Sequence, residues 1–269
     1  MNCLLFDIGG TKMRIAYSED GNTFETPHSI PTPPTYEDGV NAFLEGARAC
    51  AKGRPIEKIA GGIAGPFDEK RRTLVGSPNL HDWIGKPFKE TLERELQAPV
   101  TIENDSAVVG LGEAVSGAGR GFGIVAYITV STGVGGARII NGKLDEKVVG
   151  FEPGHQIMDI ANGKTLQDLV GGRSLEMRTS KKPKEITDPV LWEEYAKMLA
   201  AGINNVIVHW SPNAVVLGGS MITGDPAIPV DATERYLREI LKIYPEIPVI
   251  KKAELGDFGG LYGAMQLLR

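Results

Sequence analysis

Apolar positions alternate with a period of two at the start of the chain and shift to helical spacing soon after. Cys3–Ile8 reads as an apolar strand, Gly9-Gly10 as a turn and Met13–Tyr17 as a second strand; Asp20-Gly21 is a two-residue hairpin signal leading to a third. After the proline-rich IPTPPTY, the residues Val40, Phe43, Leu44 and Ala47 predict a helix over about 36–52 that starts near Thr35. A strand through Ile59–Ile63, a hairpin around Glu69–Arg72, a helix at Phe88–Leu96 and a short strand VTIE ending at Asn104-Asp105 follow. SGAGRGFG then reads as a connector; its glycines do not fit GxGxxG after a strand, so it is no dinucleotide site.

Beyond the connector the opening pattern returns. IVAYITVSTGVGGARIINGK is strand, glycine-rich turn and strand, with a hairpin signal at Asn141-Gly142. Setting GGTKMRIA against GVGGARII puts Gly9 on Gly133 and Arg14 on Arg138, which suggests two domains of related design. A strand over Lys147–Phe151, helices near 165–178 and 189–209, the buried strand AVVLGG, a helix near 231–243, a strand VIKKAEL and a last helix from about Gly259 to Leu268 complete the pattern. Sheet-forming units open each half and helices cross between the later strands, so the class is α/β.

Composition narrows the function. The chain has 269 residues, 42% hydrophobic and 23% charged, which is ordinary for a globular protein. A net charge of −5 argues against nucleic acid or membrane surfaces as partners. No long apolar run or leader precedes the first strand, so a cytoplasmic location is expected. With Cys3 and Cys50 as the only cysteines, neither a disulfide framework nor a cysteine-rich zinc site is expected.

Several stretches carry candidate chemistry, each with a plain structural alternative. DIGGTK offers backbone N–H groups open to a phosphate, a Thr11 hydroxyl, the Lys12 charge and, in Asp7, a carboxylate able to hold magnesium through water; it also reads as a simple β-turn. STGVGG offers a second such cradle or a hairpin corner. VVLGGS ends a strand in glycines that would let an adenine lie flat, or merely breaks the strand. Asn104-Asp105 is placed to act on a substrate hydroxyl or to cap the next helix. EPGH sets Glu152 and His155 across a Pro-Gly bend, and Asn79 is a pocket residue or an Asx-turn residue.

In order, DIGGTK, GIAGPFD, PNLHDW, IENDSA, TVSTGVGGARIINGKL, EPGH, VVLGGS and GGLYGA resemble the ROK family of sugar kinases and sugar-responsive repressors, within the actin-like, sugar kinase and heat-shock ATPase superfamily. The resemblance spans nearly the whole chain. It implies two ribonuclease-H-like domains around an interdomain cleft that closes during turnover: a small N-terminal domain over 1–115, on which the final helix 258–269 packs back, and a larger one over 116–257. It would make Asp105 the catalytic base, with Asn104, Glu152 and His155 as sugar ligands and Gly65 and Asn79 lining the pocket. Asp7, Gly9, Gly10, Thr11 and Lys12 with Thr132 and Gly133 would hold the phosphates of ATP and Mg2+, and Gly218 and Gly219 would pack on adenosine.

Three departures from the family pattern stand out. The stretch after the ExGH motif, where relatives carry a cysteine-rich zinc loop, is short and cysteine-free, so no zinc site is expected and His155 needs another means of orientation. Gln167 falls where relatives place a further sugar-binding glutamate. Two residues precede the first strand, so no DNA-binding module and no repressor role is expected. The implied activity is transfer of the ATP γ-phosphoryl to a hexose hydroxyl, the 6-hydroxyl of glucose being the first expectation, ahead of N-acetylmannosamine and fructose. The alternatives are a sugar-binding sensor with little turnover and a kinase for an acid or polyol; Glu152 and Asp105 together argue against an anionic acceptor. A homodimer is the family expectation.

Overall fold

The computed structural model describes residues 1–77 and 79–269. These divide into two units: Met1–Gly112 with Glu146–Gly150 and Asp257–Arg269, and Glu113–Asp145 with Phe151–Gly256.

In the first unit, β1 (Cys3–Ile8), β2 (Lys12–Ser18) and β3 (His28–Pro31) form an antiparallel meander, and β4 (Lys58–Ile63) and β5 (Val100–Asn104) extend it on the other side, parallel to β1. The sheet order is β3-β2-β1-β4-β5. Every residue of β1 is buried because both faces of the sheet are covered, which explains a continuous apolar run instead of strict alternation. Leu4, Phe6 and Ile8 point toward α1 (Tyr36–Ala51) and α2 (Phe88–Leu96), while Cys3 and Leu5 point toward α3 (Asp105–Ser116) and the C-terminal helix Gly259–Leu267. Phe6, Phe43 and Phe88 meet edge to face with centroids 5.3–6.2 Å apart. The Thr35 hydroxyl caps α1 by accepting from the Asp38 N–H.

Two turns depart from expectation. After Asp20-Gly21 the chain does not return at once as a strand, because the Asp20 carboxylate accepts from the N–H groups of Asn22 and Thr23, both at 2.8 Å, and β3 begins only at His28. The hairpin around Glu69–Arg72 shrinks to a single bridge, Phe67 to Leu74, closed by the Asp68 carboxylate on the N–H groups of Arg72 and Thr73.

The second unit repeats the plan. β6 (Ile124–Val130), β7 (Val134–Ile140) and β8 (Lys143–Leu144) form the meander, and β11 (Ala214–Gly218) and β12 (Val249–Lys252) run parallel to β6 in the order β12-β11-β6-β7-β8. Between these lie a small hairpin of β9 (Ile157–Asp159) and β10 (Lys164–Thr165), then α4 (Leu166–Val170), α5 (Gly172–Thr179) and α6 (Pro189–Trp210). The short α7 (Ser220–Thr223) follows β11, α8 (Val230–Ile240) packs on α6, and the C-terminal helix is α9.

The two sheets therefore share one topology, yet the glycine and arginine matched in the sequence are out of register. Arg14 lies beside the first turn opposite Asp7, whereas Arg138 lies toward the far end of β7 opposite Ala126, bonded to Asp145 and the Trp210 carbonyl. The helix expected over 165–178 breaks at Gly171, where the chain turns to let the Gly172 N–H reach the Ser131 carbonyl at 2.7 Å. The strand expected at Lys147–Phe151 is absent: this stretch is irregular, and Lys147 instead bonds Glu103 in the first unit. Among the described residues no helix is long and apolar enough to cross a membrane.

Candidate active site

In the first unit the candidate residues collect at the carboxyl ends of the parallel strands. Asp7 ends β1, Gly65 follows β4, and Asn104 and Asp105 close β5 and open α3. This edge of an open parallel sheet is where strands stop and backbone groups face a ligand.

The turn between β1 and β2 is closed by the Gly9 N–H on the Lys12 carbonyl at 2.9 Å, and Thr32 braces it by donating to the carbonyls of Thr11 and Gly9. Thr11 and Lys12 are exposed, and the Lys12 ammonium lies 3.7 Å from Asp257. Asn79 sits directly on Gly10, so close that a Cβ there would overlap its side chain. Gly260, at the start of α9, is packed in the same way against the Asp7 carboxyl.

Asp7 is buried, with Arg14 at 3.4 Å. Its pKa is pushed up to about 7, first by burial and then by the charge of Asp105, with Arg14 opposing. Arg14 is shared: its other nitrogen lies 2.8 Å from Asp257, whose carboxyl that contact holds below the usual range. Burial also raises the Asp105 pKa, opposed by the Ser106 N–H donating at 2.8 Å. Asn104 caps α3: its carbonyl oxygen accepts from the Ala107 N–H at 3.2 Å, and its amide donates to the Gly65 carbonyl at 3.0 Å. Gly65 has φ +133° and lies on the Gly76 carbonyl, so a side chain there is excluded twice over.

The second unit gathers its motifs at the matching edge. The turn Ser131-Thr132-Gly133 follows β6, closed by the Ser131 N–H on the Gly133 carbonyl at 2.8 Å. Its carbonyls hold the start of α5 through Gly172 and Arg173, and the Ser131 hydroxyl accepts from the Ser220 N–H at 3.0 Å, which joins it to the Gly218-Gly219 corner after β11. Gly218 lies against the Tyr127 hydroxyl, and Gly219, at φ +87°, lies against Val130 and Thr129. Both glycines thus have a packing reason independent of any ligand.

Glu152 and His155 are exposed on a 3-10 turn whose Gly154 packs on Val134, immediately after the Gly133 turn. Gln167, on α4, points its amide oxygen at that turn, 3.4 Å from the Val134 N–H and against Gly133. In place of a cysteine-rich loop, the β9–β10 hairpin is closed by the Asp159 carboxylate, which accepts from the N–H groups of Ala161 and Asn162. Among the described residues no cluster of three or more His, Cys, Asp or Glu side chains could hold a metal.

A family model described as "ROK family" matches residues 3–269. The chain belongs to the ROK family. A glucokinase of Streptomyces coelicolor is 29% identical over 98% of this chain and 96% of its own length, and an N-acetyl-D-glucosamine kinase of Escherichia coli is 26% identical over 96% of both. Among solved structures, a ROK family glucokinase from Streptomyces griseus in complex with glucose and AMPPNP has 27% identity and a TM-score of 0.81, covering 99% of each chain. The α/β class expected from the strand and helix pattern is that of these ROK structures.

The structure adds neighbours that the sequence reading left out. Arg14, Asp257 and Gly260 touch Asp7 or its partner, and Glu103, Arg71 and Lys147 lie behind Asn104. Arg14 stood out only as one end of a repeat, and no local pattern marks Asp257, more than two hundred positions from Asp7.

Proposed function

We propose that this ROK protein is an ATP-dependent hexose kinase that transfers the γ-phosphoryl group to a sugar hydroxyl, with the 6-hydroxyl of glucose as first acceptor. The observation that carries the reading is the gathering of Asp7, Asn79, Asn104 and Asp105 at one strand edge, with the glycine-rich turns at the corresponding edge of a sheet of the same topology.

Asp105 acts as general base. A carboxylate is a weak base toward an alcohol in the ground state, but the hydroxyl proton becomes acidic as the bond to phosphorus forms, and Asp105 takes it then. A raised pKa improves the match between base and task. Asn104, Gly65, Asn79, Glu152 and His155 orient the sugar. The turns at Gly9–Lys12 and Ser131–Gly133 bind the phosphates, and Gly218-Gly219 receives adenosine.

Asp7 fits a magnesium site of the kind that uses one or two carboxylates and several waters: it is a buried carboxylate whose negative charge is poorly offset by Arg14 alone. Mg2+, when bound, neutralises charge on the phosphate oxygens. A homodimer is the family expectation, testable by sedimentation velocity.

A coupled ADP-release assay with Mg-ATP and a panel of glucose, N-acetylglucosamine, N-acetylmannosamine, mannose and fructose tests the reading. Sugar-dependent ADP release is expected. Calorimetric sugar binding without ADP release would make the protein a sensor, and 6-deoxyglucose supporting turnover would exclude the 6-hydroxyl.

A further inference from the structure

Glu103, the residue before Asn104, is a buried carboxylate that the chemistry above does not use. Its side chain is only 10% exposed, yet it is fully partnered. One oxygen accepts from the Asn104 N–H at 2.8 Å; the other accepts from Lys147 Nζ at 3.0 Å and Arg71 Nε at 3.1 Å. Arg71 also donates to the Val148 carbonyl at 3.1 Å and the Asp68 carbonyl at 3.3 Å, and it holds the left-handed φ of +54° that an arginine adopts only when its surroundings require it.

The cations come from two separate stretches, one being Glu146–Gly150, which groups with the first unit although its flanking residues belong to the second. Val148 and Val149 in that stretch are 68% and 54% exposed, so burial of their side chains does not hold it down. The Lys147 side chain, by contrast, is 9% exposed. A buried carboxylate persists only when paired and hydrogen-bonded, and its geometry is then narrowly set.

We infer that Glu103, Lys147 and Arg71 form a positioning latch that fixes the Asn104-Asp105 corner for phosphoryl transfer. The chain of contacts is short. Lys147 and Arg71 set one carboxylate oxygen, the other sets the Asn104 N–H, and the Asn104 side chain caps the helix that Asp105 opens. A shift of an ångström in a catalytic group is enough to cost up to ~100-fold in rate. The latch serves the kinase reading above, because it acts through Asp105.

The test compares Lys147→Met, which keeps the length of the side chain and loses its charge, with Lys147→Arg, which restores a cation. Lys147→Met is expected to fold, to lower kcat by ~10-fold and raise the sugar KM, and to leave the ATP KM unchanged. Lys147→Arg is expected to recover most of the loss. Hydrogen exchange of the free protein is read beside the kinetics: in Lys147→Met, amides of 146–150 and of Asn104–Ala107 are expected to exchange faster. Wild-type kcat and sugar KM in Lys147→Met, whether or not its Tm falls, would leave the triad a merely stabilising cluster and overturn the latch, as would unchanged exchange at Asn104–Ala107. If the wild type turns over no sugar, the kinase reading fails on its own, and the exchange measurement still decides whether Lys147 fixes the corner.

Discussion

Asp7→Asn tests the electrostatics of the first unit most directly. The Asp7 carboxyl shifts from an ordinary 3.8 to about 7 on folding. Below the ordinary value it is neutral in both states and costs nothing. As pH rises from there to about 7 the folded chain holds a proton that the unfolded chain has released, so stability falls through that window, and above it the full cost of a buried charge remains. The rise from 3.8 to about 7, at ~1.4 kcal/mol per pH unit, sets a ceiling of ~4 kcal/mol. Relaxation at a strand edge leaves ~1–3 kcal/mol as the working figure. Asparagine removes the charge at the same size, and Arg14 keeps Asp257 as a partner at 2.8 Å. The variant should therefore be more stable at pH 8 in EDTA, by ~2–12 °C in Tm at about 2–4 °C per kcal/mol. Thermal melts at pH 5, 6, 7 and 8 without nucleotide should show the gap between variant and wild type widening toward pH 7 and then levelling. Addition of Mg-ATP should raise the Tm of the wild type more than that of the variant. A variant no more stable than wild type at pH 8, or a gap independent of pH, would refute the reasoning.

The remaining predictions concern turnover and substrate affinity. Asp105→Asn should lower kcat by ~100-fold or more while glucose affinity, measured by calorimetry, changes only a few-fold; near-normal turnover would remove Asp105 from the base role. Glu152→Gln should raise the sugar KM by ~10-fold with a smaller effect on kcat, since it weakens a charge-assisted hydrogen bond, and an unchanged sugar KM would place Glu152 outside the pocket. Gln167→Glu puts a negative charge against Gly133, so it should raise the ATP KM by ~10-fold and spare the sugar KM. The reverse pattern would return Gln167 to the sugar side.

Much of the fold was legible because its period was strong. β1 and α2 fall where the apolar pattern put them, and α1 starts after a Thr35 that caps it. The failures share a cause: side chains that bond the backbone or a distant residue override local pattern. Asp20 and Asp68 hold turns that composition alone reads as tight hairpins. Lys147–Phe151 has strand-like residues but follows Lys147 to Glu103, a partner forty-four positions back that no local window contains. The site shows the same division. The sequence places Asp7 and Asp105 at strand ends and Gly10 in a turn, where the structure has them, whereas the contacts of Asp257 and Glu103 exist only once the strands are side by side.

The two sheets share a topology but carry different residues at the same edge, carboxylates in the first unit and glycines and hydroxyls in the second. In the first unit the edge bears Asp7, whose ionisation is resisted by its burial and by the charge of Asp105, and Asp105 itself, whose pKa burial raises. In the second unit the corresponding turns bear Ser131, Thr132, Gly133, Gly218, Gly219 and Ser220, with no carboxylate among them, and Gln167 offers a neutral oxygen in the helix beside them. A triphosphate would be repelled by carboxylates in such a turn, while a base must be anionic to take a proton. In the proposed reaction the base comes from the first copy of the scaffold, while the glycine-rich turns of the second copy stay free of carboxylates. The neutral amide of Gln167 keeps to that division, which is why Gln167→Glu is the substitution that challenges it most sharply.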